Sequence, residues 1–228
     1  MILKKLYHQW HFHRSLDHPA SRIAGFRLAW RSDAYVSPRA RVYYPRRIVL
    51  GRNAQIHDYA ILNYRSGPGG GAPNLFVGEN TRIMPHAKLV PQQGWIRIGR
   101  NCTIQYGCLL YGVGGLEIGD DSRIAAHTIM TPMNHVFADP RAPIRTQGET
   151  AVGIRIGRDV WIGAGVRIVD GVVIGDGCVV GAGSVVTKSL PPFSVAVGVP
   201  ARVLYRRDGE APVAMGASAP ATNPLERE

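Results

Sequence analysis

The chain has 228 residues, of which 45% are hydrophobic and 19% charged, a globular composition long enough for one full core. No run of 18 uncharged apolar residues occurs, and Lys4, Lys5, Arg14, Asp17 and Arg22 interrupt the start, so neither a transmembrane helix nor a cleaved secretory signal is expected. Lys and Arg number 27 against 16 Asp and Glu, and the resulting +11 invites an anionic partner.

Most of that charge comes first. Residues 1–52 hold eleven basic side chains and only two acids, Asp17 and Asp33. Residues 1–33 form a basic segment that also carries Tyr7, Trp10, Phe12, Phe26 and Trp30. Three readings stand: a solvated or subunit-packing face, peripheral contact with an anionic membrane, or nucleic acid. No nucleic-acid motif supports the last, and no nucleic-acid partner is expected. His8, His11, His13 and His18 lie here without metal-ligand spacing, and no metal is expected.

From about residue 34 to 205 the chain carries a period of six. Ile156, Ile162, Ile168, Ile174, Val180 and Val186 are spaced by six without error. Earlier triplets repeat it: Val36, Val42, Ile48; Leu50, Ile56, Leu62; Val77, Ile83, Leu89; Ile98, Ile104, Leu110; Ile118, Ile124, Met130. Two residues before most of these stands a small or β-branched residue, as at Ala54, Thr81, Cys102, Cys108, Ser122, Val166, Cys178 and Ser184. Strand side chains alternate with period two, so both positions point inward. Gly157, Gly163, Gly175 and Gly181 directly follow an aliphatic, and positive φ at a corner is the expected reason. Three short strands and three corners close an 18-residue triangular coil, and stacked coils make an all-β parallel solenoid. All three cysteines fall in the small inward slot, which predicts core thiols.

Two stretches break the period: 63–76, rich in glycine but without a phosphate-loop pattern, and 131–155. Loops thrown from a rigid solenoid are where sites sit. Residues 206–228, rich in Ala, Pro and Gly, are predicted to be a disordered tail.

The hexapeptide pattern resembles the hexapeptide-repeat acyltransferases, in the sugar and polysaccharide O-acetyltransferase branch that includes the maltose and galactoside enzymes. The residues carrying the resemblance are Asn134-His135-Val136-Phe137 with Asp139-Pro140, and Val160 to Gly165. They continue with Gly181 to Lys188 and Gly198 to Val203. The resemblance implies a left-handed parallel β-helix, acetyl-coenzyme A as co-substrate, a homotrimer and a cytoplasmic location. It fails at the start, where the helical segment of those enzymes is not recognisable.

By resemblance, His135 is the general base and Glu149 its orienting partner, with Asp139 as competitor. A neutral imidazole suits removal of an alcohol proton near pH 7. Trp161, Gly163, Ala164, Ala182, Thr187, Lys188 and Arg202 are the expected coenzyme A contacts, the basic ones through phosphate, and Arg206 and Arg207 are weaker candidates. Asn134, His127 and His86 are candidates for the acceptor. Three alternatives remain open: N-acetylation of an amino-sugar nucleotide or antibiotic, a γ-type carbonic anhydrase, and a non-enzymatic scaffold. His127 and His135 are eight apart, which does not fit the histidine pair of the anhydrase.

Overall fold

A computed structural model describes residues 19–63 and 72–209. Most of its short strands form three stacks, paired in parallel except at the C-terminal hairpin, and one further antiparallel pair lies in the second excursion. The first face runs from Tyr35–Val36 through Gln55–Ile56, Arg82–Ile83, Thr103–Ile104, Arg123–Ile124 and Trp161–Ile162 to Val179–Val180. The second runs from Arg41–Val42 through Ile61–Leu62, Lys88–Val90, Leu109–Tyr111, Ile129–Thr131 and Arg167–Val169 to Val185–Val186. The third stacks Ile48–Leu50, Leu75–Val77, Ile96–Ile98, Leu116–Ile118, Ile154–Ile156 and Val173–Ile174. This is a parallel β-helix of triangular section.

The repeat aliphatics line its axis. Ile56, Ile83, Ile104, Ile124 and Ile162 stack in register on the first face, all at 0% exposure. The small slots are buried beside them, including Ala54, Thr81, Ser122 and Ser184. Their hydroxyls do not go unpaired: Thr81 donates to Gly99 O at 2.7 Å and Ser122 to Gly157 O at 3.1 Å, tying neighbouring coils.

Two expectations about the repeat need correction. Only the last coils are 18 residues long. Trp161 pairs with Val179, but Tyr35 pairs with Gln55, Arg82 with Thr103 and Thr103 with Arg123, separations of 20, 21 and 20. The extra residues leave mainly at the corner between the second and third faces, and both long excursions leave there too. The excursions are also shorter than the sequence suggested, because Leu75 and Ile154 already belong to third-face strands. Residues 64–71 lie outside the described residues.

The second correction concerns glycine. Gly157, Gly163, Gly175 and Gly181 are not at positive φ. They are small because the next coil passes too close: a Cβ on Gly163 would lie 2.5 Å from Ala182 N, and one on Gly175 2.5 Å from Pro192 N. The left-handed turn is made elsewhere. On the corner between the first and second faces it falls three residues after the aliphatic, at Tyr59, His86, Gly107, His127, Gly165 and Gly183. On the corner between the third and first faces Asn53, Asn80, Asn101 and Asp121 adopt it, as Asn and Asp tolerate. Their side chains form a ladder, Asn53 donating to Asn80 (3.3 Å), Asn80 to Asn101 (3.2 Å) and Asn101 to Asp121 (2.9 Å).

A solenoid exposes its core at both ends, so each end needs a cap. At the first coil the cap is a helix, α1 (Pro19–Ser32), in the segment where the sequence shows no recognisable helix. Its amphipathic signal is weak because it closes one end of a stack instead of lying along a core. Leu28 joins the core, and Gly25 lets the helix approach Val36 and Val42. At the far end the antiparallel hairpin Ser194–Gly198 with Ala201–Arg206 buries Val195, Ala196 and Ala201. Residues 210–228, most of the predicted tail, lie outside the described residues, as do His8, His11, His13 and His18. Among the described residues no helix is long and apolar enough to cross a membrane.

Candidate active site

On the fifth coil the chain leaves the second face after Ile129–Thr131 and returns at Ile154–Ile156. Between them it folds on itself. Asn134–His135 pairs antiparallel with Glu149–Thr150, setting His135 opposite Glu149, and Val136 N–H donates to Gly148 O at 3.0 Å. The His135 Nδ1 to Glu149 Oε1 distance is 3.6 Å, with both side chains about half exposed. A carboxylate on that side favours N–H on Nδ1 and leaves Nε2 free to accept a proton.

The loop is braced at both ends. At its tip the 3-10 turn Ile144–Thr146 precedes Gln147, whose amide donates to Asp139 O and Ala142 O at 2.8 Å and accepts from Asp139 N–H at 3.0 Å. At its base the Asp170 carboxylate, from the next coil, accepts the N–H groups of Val152 (2.9 Å) and Gly153 (2.8 Å). Asp170→Ala is expected to expose these two amides to fast hydrogen exchange and lower turnover by about 10-fold, from hydrogen bonds to a charged group worth roughly 1.5–3 kcal/mol. Unchanged exchange at Val152 and Gly153 would rule that anchor out.

Asp139, the competing partner for His135, is engaged elsewhere. Its carboxylate accepts the Arg141 N–H at 2.9 Å and faces the Arg141 guanidinium at 3.3 Å. Asn134 is exposed on the same strand as His135.

The expected coenzyme A contacts separate into two groups. Trp161 stands outward on the first face, 55% exposed. Ala164 and Ala182 are exposed on the adjoining corner and linked by the Gly183 N–H donating to Ala164 O at 2.8 Å, with Gly163 tight beneath. Arg202 is exposed on the C-terminal hairpin opposite Val197, whose side chain packs at Gly181. Thr187 and Lys188 are exposed but lie beyond Val185–Val186, at the far end of the second face. The weaker candidates are occupied: Arg206 pairs with Asp208, and Arg207 with Asp159 at 3.6 Å and Gly177 O at 2.8 Å.

The acceptor candidates His127 and His86 are exposed on the corner between the first and second faces, not on the corner that carries the loop. The structure does not bring them to His135 within one chain. His86 stacks on Tyr59 with centroids 5.1 Å apart. His127 lies over Gly107, where a Cβ would sit 2.6 Å from its Nδ1.

Sequence reading missed Gln147 and Asp170, which position the loop, and Tyr59, which supports His86. Asp170 had one visible signal, a carboxylate at a corner directly below a long excursion. The cysteines are core, as expected. Burial pushes the Cys108 thiol up to about 11 and raises Cys102 and Cys178. None is poised as a thiolate. Among the described residues no group of three His, Cys, Asp or Glu could hold a metal ion.

Residues 153–188 match the family model described as bacterial transferase hexapeptide (six repeats). A probable acetyltransferase of Mycobacterium tuberculosis is 28% identical over 82% of this chain, and galactoside O-acetyltransferase of Escherichia coli is 39% identical over 56%. The chain spans 56% and 62% of those two proteins. Among solved structures, a maltose O-acetyltransferase from Clostridium difficile is 35% identical with a TM-score of 0.52, over 57% of this chain and 68% of that one. An N-acyltransferase from Bacillus cereus, in complex with dTDP and 3-hydroxybutyryl-CoA, is 27% identical with a TM-score of 0.53, over 77% and 80%. The parallel solenoid is thus the left-handed β-helix of these proteins. With its coil register, its hexapeptide match and a maltose enzyme similar over two thirds of that enzyme's length, the chain belongs to the bacterial hexapeptide-repeat transferase family.

Proposed function

We propose that this chain is an acyltransferase that moves an acetyl group from acetyl-coenzyme A to a hydroxyl of a sugar or surface-polysaccharide precursor in the cytoplasm. The observation that carries the reading is the strand pair setting His135 against Glu149 on a braced loop. His135 Nε2 takes the acceptor hydroxyl proton as the oxygen attacks the thioester carbonyl. The tetrahedral intermediate collapses, the C–S bond breaks, and the proton passes from the imidazolium to the departing thiolate. Glu149 holds the Nδ1 proton and stabilises the imidazolium between those steps.

Trp161, Ala164, Ala182 and Arg202 are assigned to coenzyme A, with the small residues leaving room for its pantetheine arm. Thr187 and Lys188 sit too far along the second face to share that surface simply within one chain. His127 and His86 stand away from the loop because they occupy the corner between the first and second faces. A homotrimer answers both, since a neighbouring copy can bring its corner to the His135 loop. The second reading is N-acylation of an amino-sugar nucleotide. It is supported by the larger share of the B. cereus N-acyltransferase that this chain matches, 80% against 68% of the maltose enzyme.

The test is thiol release from acetyl-coenzyme A across a panel of sugar and nucleotide-sugar acceptors, with mass spectrometry of the product. An O-acetyl ester is lost in mild alkali and an amide survives it. No transfer to any acceptor would remove the enzymatic reading. Glu149→Gln is expected to lower kcat by about 10- to 100-fold with KM little changed, as for loss of an orienting partner. A rise in KM alone would assign Glu149 to binding instead.

A further inference from the structure

Helix α1 and the 3-10 turn Pro45–Arg47 line an open cleft of about 490 Å³ at the first-coil end of the prism. Among the described residues it is lined by Arg27, Leu28, Trp30, Arg31, Pro45 and Arg46. The proposed acetyl transfer uses none of them. Arg39 is paired with Asp58 and Arg52 with Glu79. Among the described residues, no carboxylate pairs with Arg27, Arg31 or Arg46, and all three are exposed. The helix contains no acid; Asp33, just beyond it, is the nearest in sequence. Trp30 stands between two of the arginines at 82% exposure. The 18 residues before α1 continue the same composition in sequence, with Lys4, Lys5 and Arg14 among Tyr7, Trp10 and Phe12.

We infer that this end of the solenoid is a docking surface for an anionic phospholipid bilayer. Three arginines with no acidic partner among the described residues complement lipid phosphates. An exposed indole among them is the side chain that settles at the boundary between headgroups and acyl chains. The cleft between them has Leu28, Pro45 and the arginine stems in its lining, which suits the glycerol region of a lipid more than a free, fully hydrated phosphate. The position matters as much as the chemistry. These groups crown one tip of the prism, so they can meet a flat surface together without the faces interfering. Stacking at about 4.8 Å per coil would put the fifth coil, where the His135 loop leaves, about 20 Å above that surface. Docking itself does not depend on what the loop catalyses.

The experiment is co-sedimentation of the full chain with vesicles of phosphatidylcholine alone, or with about a third phosphatidylglycerol, at low and high salt. Binding is expected only to the phosphatidylglycerol vesicles, and salt should weaken it. Changing Arg27, Arg31 and Arg46 together to Gln is expected to lower partitioning by about 100-fold, from roughly 1 kcal/mol per basic residue near the surface. Changing Arg82, Arg97 and Arg155 on the first and third faces to Gln removes the same net charge and should leave most of the binding intact. Trp30→Ser, an exposed substitution, should weaken binding several-fold by itself, and this variant decides the matter if the triple variant misfolds. Four results would overturn the inference. They are no binding to anionic vesicles, equal losses in both triple variants, full binding by the Trp30 variant together with the first triple variant, or release by millimolar glycerol phosphate. The last would mark a site for soluble anions.

Discussion

His135→Ala is expected to lower kcat for acetyl transfer by about 10²- to 10⁴-fold, the usual contribution of a positioned general base. KM for acetyl-coenzyme A should hardly move, since the coenzyme contacts are assigned to other side chains. Folding should not suffer either. His135 is 57% exposed at the side chain, it projects from a loop, and exposed substitutions rarely change stability by more than about 0.5 kcal/mol. The measurement is a thiol-release assay beside a thermal melt of the same sample. Wild-type kcat in a folded variant would end the His135 mechanism, whatever the acceptor. The double variant with Glu149→Gln adds a sharper check. If Glu149 acts only through the imidazole, removing it from the His135→Ala protein should cost almost nothing more.

Gly119→Ala should be among the most destabilising single-methyl changes in the chain, while Gly183→Ala should be mild. A Cβ on Gly119 would lie 2.6 Å from both C and O of Gly157 and 2.8 Å from Arg158 N. Those are backbone atoms of the next coil, held in register by the parallel pairs of Leu116–Ile118 with Ile154–Ile156. They cannot rotate away as a side chain could, so the coils must part. Overpacking of this kind costs about 3 kcal/mol, at the upper end of its usual range. For a chain this size that is a fall in Tm of roughly 10 °C. Gly183 is the opposite case. Its φ is +71° and nothing lies within 4 Å of a Cβ. An alanine there meets only the left-handed backbone penalty of about 1–2 kcal/mol, partly offset by the lower entropy of its unfolded chain. Tyr59, His86 and His127 occupy the same corner position with full side chains, so the position accepts them. Equal losses in the two variants would show that close contact with the next coil does not set the cost of a methyl at Gly119.

That contrast shows where sequence reading succeeds and where it stops. The inward aliphatics and the small slots were legible because burial on a strand repeats with period two and the coil repeats with period six. Ile104 and Cys108 could be placed in the core from spacing alone, and both are fully buried. The glycine that follows several of the aliphatics was equally visible, but its cause was not. Contact with a residue 16 to 39 positions away leaves no local mark. Helix α1 escaped for a related reason: it caps an end of the stack instead of lying along a core, and its sequence carries no strong apolar stripe.

The site divides along the same line. Sequence by itself determined the solenoid, the core cysteines, the existence of a long loop and the candidacy of His135, because each is written in local residue order. Only the tertiary structure decided which carboxylate His135 faces. Glu149 and Asp139 are both acids in one loop, and strand pairing across the loop chose Glu149 while the turn at Arg141 engaged Asp139. It also decided which arginines at the first-coil tip have no carboxylate partner among the described residues, and that His86 and His127 share a corner away from the loop. Distance through space is set by how coils stack, and a sequence records stacking only through the average period, not through the individual contacts that period brings together.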